Sequence, residues 1–286
     1  MSSSAGINEP INFAKAFGFN SLAAAAVFVG LYVPLFALFV FKSFKIPTYV
    51  HYVLSFFCLI RIAAFTLRIV LTASESAGEN IGILIADEIL FGVGFFGLLY
   101  SAYTLVLDLE SLSDRPSPTN PIIRLTQNRR MFRLTLLVAV VIGVVASSLS
   151  SGGSSDSTSS VLRKASTAIF LVLTVLQAFQ TIYLAQTRIS EPELYKRAQK
   201  SFGARHGIFI LVLISFLLLI REVFVAATID DHVKQNNEHF WYPLLVVPEI
   251  LAVILYAIPG LVPSKEDLKG EELKGYGDMK MVAIHP

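Results

Sequence analysis

The stretch Gly207-Ile-Phe-Ile-Leu-Val-Leu-Ile-Ser-Phe-Leu-Leu-Leu-Ile-Arg-Glu-Val-Phe-Val-Ala-Ala-Thr228 decides the fold. Between Ile208 and Ile220 its only polar side chain is Ser215. A run of about 20 such residues, wound as a helix, matches roughly 30 Å of bilayer hydrocarbon. Lipid offers no hydrogen bonds, so the amides of a spanning segment must bond within a helix or around a closed barrel. A barrel strand would alternate apolar and polar residues, and this run does not. It is therefore read as a membrane-spanning helix, and near its end stand two charges that lipid tolerates poorly, Arg221 and Glu222.

Working outward, six more runs repeat the pattern. The expected spans are Phe19 to Phe41, Val50 to Leu71, Ile81 to Leu107, Phe132 to Leu149, Ala165 to Gln186, Gly207 to Thr228 and Phe240 to Val262. The chain is 54% hydrophobic and only 15% charged, with a mean hydropathy of +0.65, more apolar surface than a water-soluble core of 286 residues can hide. The expected fold class is all-α, a polytopic transmembrane bundle of seven helices in the lipid bilayer of a plasma membrane or endomembrane. An extracellular N-terminal segment (1–18) precedes the transmembrane domain (19–262), and a polar, disordered cytosolic tail (263–286) follows it. No basic n-region or cleavage pattern marks a removable signal, so the first run is read as an uncleaved span.

The basic residues give the orientation, because short cytosolic loops collect Lys and Arg. One face receives Lys42 and Lys45, then Arg115, Arg124, Arg129, Arg130 and Arg133, then Arg188, Lys196, Arg197, Lys200 and Arg205, and last Lys265, Lys269, Lys274 and Lys280. The other receives only Lys15, Arg163, Lys164 and Lys234. The N-terminus is thus expected outside and the C-terminus in the cytosol. A net charge of +2 points to no nucleic-acid partner.

Short connections imply antiparallel neighbours. Asp114 to Pro121 is proline-rich and is read as a non-helical linker, Glu191 to Arg205 fits either a solvated linker or an amphipathic surface helix, and Ser147 to Ser160, rich in Ser and Gly, is read as a flexible outer loop. No N-glycosylation sequon occurs in the chain. The lone Cys58, inside the second span, is read as a small buried hydrophobe.

The remaining charges lie within spans: Arg61 and Arg68 in the second, Asp87 and Glu88 in the third, Arg221 and Glu222 in the sixth, Glu249 in the seventh. Each costs at least about 2.5 to 3.5 kcal/mol at mid-bilayer unless it is paired. Arg61 and Arg68 stand two turns apart on one helical face. With a rise of about 1.5 Å per residue, Arg61 and Glu249 fall near the midplane and the others nearer the outside. The expected pairs are Arg61 with Glu249 and Arg68 with Asp87 or Glu88, with Arg221 and Glu222 joining the outer layer, one of them snorkelling to water. Thr174, Gln177 and Thr181 add a polar stripe on the fifth helix, suited to helix-to-helix hydrogen bonding or to a shared cavity with the charges.

Several motifs lose their usual meaning here. Gly92-Val-Gly-Phe-Phe-Gly97 has the letters of a dinucleotide-binding turn but lies within a membrane helix, where close packing through small residues is the better reading. Pro248 immediately before Glu249 is expected to bend the seventh helix. His51, His206, His232, His239 and His285 do not converge at one depth, so no metal site or cofactor is expected. No Lys stands in the seventh span to carry a retinal Schiff base.

The segments Arg61-Ile-Ala-Ala-Phe-Thr-Leu-Arg68, Gly97-Leu-Leu-Tyr-Ser-Ala-Tyr103, Glu238-His-Phe-Trp-Tyr-Pro243, Pro248-Glu249 and Ile258-Pro-Gly-Leu-Val-Pro263 resemble a set of fungal seven-helix integral membrane proteins. More distantly they are similar to the fungal lipid-translocating exporter family. The resemblance covers most of the chain and implies a fungal multi-pass protein, with lipid translocation as the exporter family's activity. The exporter pattern carries an arginine-rich segment ending in Glu on the sixth helix and an Asp after the seventh-helix Tyr; Arg221-Glu222 and Glu249 stand near those places.

The expected function is binding or translocation of a lipid or small amphiphile through a polar intrabundle cavity, with Arg61, Arg68, Asp87, Glu88, Gln177, Arg221, Glu222 and Glu249 as its path. The alternative is a receptor-like sensor of a small extracellular ligand, although the third and seventh helices lack the usual G-protein-coupled receptor signatures. An intramembrane enzyme comes third, since no catalytic set assembles. The oligomeric state stays open.

Overall fold

A computed structural model describes residues 12–111, 128–151, 156–190 and 202–263. The linker at Asp114 to Pro121, most of Glu191 to Arg205 and the tail beyond Pro263 lie outside the described residues. Among those described there is no strand. A short α1 (Phe13–Ala16) precedes the first spanning helix, α2 (Leu22–Lys45); α3 (Tyr49–Ala73) and a single turn α4 (Glu75–Gly78) lead to α5 (Ile81–Ser111). Then come α6 (Arg129–Ser151), α7 (Asp156–Ser190) and α8 (Phe202–Ala227). Two short turns, α9 (His232–Asn236) and α10 (Glu238–Trp241), lead into a π-helical turn at Tyr242–Val246 and α11 (Val247–Tyr256). Seven helices are long and apolar enough to cross a membrane, the last being the composite Glu238–Tyr256.

Chain neighbours pack side by side, and α11 returns to α2, which closes the ring. The long α5 touches α3, α6, α7 and α8 and so occupies the centre. Outside the ring, large apolar side chains such as Phe41, Phe44 and Phe56 are more than 60% exposed, a surface suited to acyl chains. Polar contacts also fasten the two ends of the bundle. On the lysine- and arginine-rich face, called inner below, Arg129 pairs with Asp108 at 2.6 Å and Lys42 donates to the Ala257 carbonyl. On the outer face the amides of Asn20 and Ser21 both donate to Glu238 Oε1 at 2.9 Å, and Lys164 pairs with Asp230 at 2.6 Å.

Three expectations about boundaries are corrected. Phe19 does not open the first span: Ser21 caps α2, its hydroxyl accepting from the Ala24 amide, and Phe19 tucks inward at 2% exposure after a turn in which Gly18 adopts φ +88°. Ser147 to Ser160 is not one flexible loop, because α6 runs through Ser151 and α7 starts at Asp156. Serine disfavours a helix interior by only about half a kcal/mol, and its hydroxyl can bond back to the preceding turn, as Ser148 does to the Val144 carbonyl, so packing of α6 against α7 prevails. Finally, the seventh span ends at Tyr256 rather than Val262. Pro259 and Gly260, the latter at φ +81°, turn the chain there, and the Gly203 amide donates to the Pro259 carbonyl.

Candidate functional site

The charges within the spans form two clusters. At the deeper one Arg61 is fully buried and grips Glu249 with both edges of its fork, Nε to Oε2 at 2.8 Å and Nη2 to Oε1 at 2.7 Å. Bidentate pairing of this kind is the strongest form a guanidinium can make with a carboxylate. Its remaining donors reach α5 carbonyls, Leu90 at 3.2 Å and Phe91 at 3.1 Å, and its plane lies over Phe57 and Phe91. Glu249 Oε1 also accepts from Arg221 Nε at 3.1 Å, and Arg221 turns its Nη1 back to Glu222. The order is thus Arg61, Glu249, Arg221, Glu222, with alternating sign and no net charge.

Arg221 and Glu222 are therefore both buried, at 5% and 1% exposure, and neither snorkels. The guanidinium is long enough to reach a carboxylate on the next helix while holding its own chain neighbour, which the 100° offset of adjacent residues did not suggest. The second cluster lies nearer the outside, where Arg68 Nη2 meets Asp87 Oδ2 at 3.2 Å. The Arg68 guanidinium is sandwiched between the rings of Trp241 at 3.5 Å and Phe19 at 4.1 Å, so the N-terminal segment helps to seal it.

Two backbone features make this geometry fit. A Cβ on Gly94 would stand 2.8 Å from Arg61 Nη1, so Gly94 is the notch that admits the guanidinium against α5. The glycine motif divides its roles: Gly97 packs against Val53, and Gly92 has no neighbour within 4 Å of where its Cβ would be. The π turn provides the second fit. Pro248 has no amide hydrogen, and one residue upstream the Val247 amide donates to Tyr242 instead of Pro243, five residues back. Eight steps of about 100° would leave Trp241 and Glu249 about 80° apart, but the extra residue absorbed by the π turn brings them within about 20°. Arg61 and Arg68 are offset by the same small angle, so each arginine faces one of the two.

A cavity of about 170 Å³ lies in the outer half, among α5, α6, α7, α8 and the turn α9. Arg68, Asp87, Glu88, Arg163, Arg221 and Glu222 line it, three positive and three negative, alongside Phe91, Phe95, Phe170 and Trp241. Glu88 is partly buried, makes no hydrogen bond or direct salt bridge with another described residue, feels the charge of Arg163 across the cavity, and its oxygens are not sealed from it. Arg61 and Glu249 do not line the cavity, and neither does Gln177. The Gln177 amide instead donates to Thr181 and Ser215 at 2.9 Å each, tying α7 to α8 as the helix-bonding reading expects. Thr174 bonds the Phe170 carbonyl of its own helix.

Arg163 is the cavity residue that sequence reading left among the outer-loop charges. Its guanidinium donates to the Ile229 carbonyl. Only an α7 that starts at Asp156 carries it into the bundle wall. A second, apolar groove of about 410 Å³ lies on the bundle's flank between α3, α5 and α6, lined by Tyr49, Tyr52, Val53, Phe56, Gly97 and Leu137 among others. Among the described residues no group of three His, Cys, Asp or Glu could hold a metal ion. No known protein family, curated protein or solved structure matches the chain.

Proposed function

We propose that this multi-pass membrane protein binds a small amphiphile whose polar head sits in the outer cavity, and that it moves this ligand across the bilayer. The observation that supports the reading is the cavity itself: a charge-lined space among spanning helices, with one carboxylate, Glu88, that makes no direct salt bridge with another described residue and faces its opposite charge, Arg163, only electrostatically. Charges inside a membrane are costly and mark ligand or ion paths far more often than surface charges do. The lining is balanced in sign, which favours a head without net charge, its cationic end against Glu88. A void of about 150 Å³ takes a benzene-sized molecule, so the head has on the order of six to ten non-hydrogen atoms. The likeness of the Arg61–Arg68, Gly97–Tyr103 and Pro248-Glu249 segments to fungal seven-helix proteins and lipid-translocating exporters points to the same class of cargo.

The test uses purified protein in phosphatidylcholine vesicles with a fluorescent zwitterionic lysolipid as probe. Binding is read by titration and movement by quenching from the outside. Loss of one charge-assisted contact at about 1.5 to 3 kcal/mol predicts that Glu88→Gln weakens binding by roughly tenfold or more while thermal stability stays unchanged. Equal affinity in the two proteins rejects the site, and saturable binding without movement reduces the protein to a receptor.

A further inference from the structure

The polar cavity and the flank groove share two wall residues, Val93 on α5 and Val140 on α6. The lining of both helices shifts from cavity to groove around that point. On α5, Asp87, Glu88, Phe91 and Gly92 face the cavity outward of Val93; inward of it Gly94, Phe96 and Gly97 face the groove, while Phe95 still closes the floor of the cavity. On α6, Gly143 and Ser147 lie on the cavity side of Val140 and Leu137 on the groove side. From this continuity we infer that the two spaces are one ligand site, with the head in the cavity and a single aliphatic chain in the groove, the chain passing between Val93 and Val140. This rests on the proposed function.

Size and surroundings fit that occupant. The groove follows α3 from Tyr49 to Ile60, a length of about 16 Å at 1.5 Å per residue. If a methylene needs about as much room as a water molecule, roughly 30 Å³, the groove holds on the order of a dozen carbons. Tyr52, Phe56 and Leu137 are exposed on the bundle surface, at 54%, 62% and 49%, so the chain enters sideways from the bilayer. A chain leaving lipid for this groove gains no hydrophobic energy, because acyl tails are as apolar as the groove. Occupancy must therefore be held by the head, and groove and cavity must respond together.

The experiment photolabels the full chain in phosphatidylcholine vesicles with a dodecyl zwitterionic lysolipid, carrying its diazirine either at mid-chain or beside the head, and maps the adducts by mass spectrometry. The mid-chain probe is expected on Val53, Phe56, Gly97 and Leu137, about tenfold above Val172 and Phe179 on the exposed face of α7, and unlabelled probe should displace it. Glu88→Gln and Val140→Trp should each lower that labelling by roughly tenfold, the former because the head no longer anchors the chain. Three results overturn the inference: labelling spread evenly over groove and α7 face, groove labelling indifferent to Glu88→Gln, or adducts replaced by contacts between groove residues of two copies of the chain. If the head probe still labels the cavity in those cases, the proposed function stands without the groove. If the head probe also misses the cavity, both fall.

Discussion

Replacing Glu249 with leucine removes one carboxylate, strands one cation, Arg61, and takes one of two partners from a second, Arg221. Arg61 loses both of its ionic bonds and keeps only the Leu90 and Phe91 carbonyls, while Arg221 falls back on Glu222. Breaking a buried pair from one side costs about 3 to 5 kcal/mol, most of it the penalty of the uncompensated charge. At about 2 to 4 °C per kcal/mol for a chain of this size class, Glu249→Leu should lower the midpoint of thermal unfolding by roughly 6 to 20 °C. The double substitution Arg61→Leu with Glu249→Leu removes both signs and leaves Arg221 with Glu222, so it should be less damaging than Glu249→Leu alone. Replacing a whole buried pair by apolar residues is often neutral. The assay is a double-mutant cycle on detergent-purified protein, followed by unfolding midpoint and by reversible unfolding in bicelles, with a coupling energy of about 2 kcal/mol or more expected. Strictly additive effects of the two substitutions would show that the pair does not hold the helices in register, and the reasoning would fail.

Gly94→Ala puts a methyl 2.8 Å from Arg61 Nη1 and should cost about 1 to 3 kcal/mol in the parent protein but almost nothing in the Arg61→Leu background, as measured by the same unfolding midpoints. Gln177→Leu removes an α7-to-α8 hydrogen-bond hub and should cost only about 0.6 to 1.7 kcal/mol while leaving probe binding unchanged, which separates the polar stripe from the site in one titration. Asp231 caps α9 by accepting from the Lys234 amide at 3.0 Å, and that bond holds its carboxyl below the usual aspartate range. Its contribution is complete above the unfolded value of about 3.9 and is lost as pH falls through the lower folded value, so amide exchange in α9 should rise only in strong acid. The Asp231→Asn variant should lack that pH step.

The seven helices were legible in the sequence because hydrocarbon length is a one-dimensional constraint, and so was the match of Arg61 with Glu249, since depth follows from residue count along a straight helix. Rotation was less legible. Nothing in the run from Trp241 to Glu249 announces a π turn beyond the nearby prolines, and only that turn aligns the two residues on one face. Gly94 was visible as a small residue in a packing motif, but its partner, a guanidinium from another helix, depends on how α3 and α5 are turned towards each other. Arg163 was missed because serine content suggested a loop where packing of α6 on α7 extends the helices. Gln177 was grouped with the charges on polarity alone, and its amide instead donates to Thr181 on its own helix and to Ser215 on α8, outside the cavity lining.

The seventh helix is fixed at two points, Trp241 on Arg68 and Glu249 on Arg61, with the π turn as the spacer between them. A spacer of this kind constrains length more tightly than chemistry. Apolar exchanges within 242–246 keep both anchors, whereas deletion or insertion of a single residue there rotates one anchor by about 100° relative to the other, whichever end stays in place. In this stretch of the chain, an indel is therefore a heavier lesion than almost any point change.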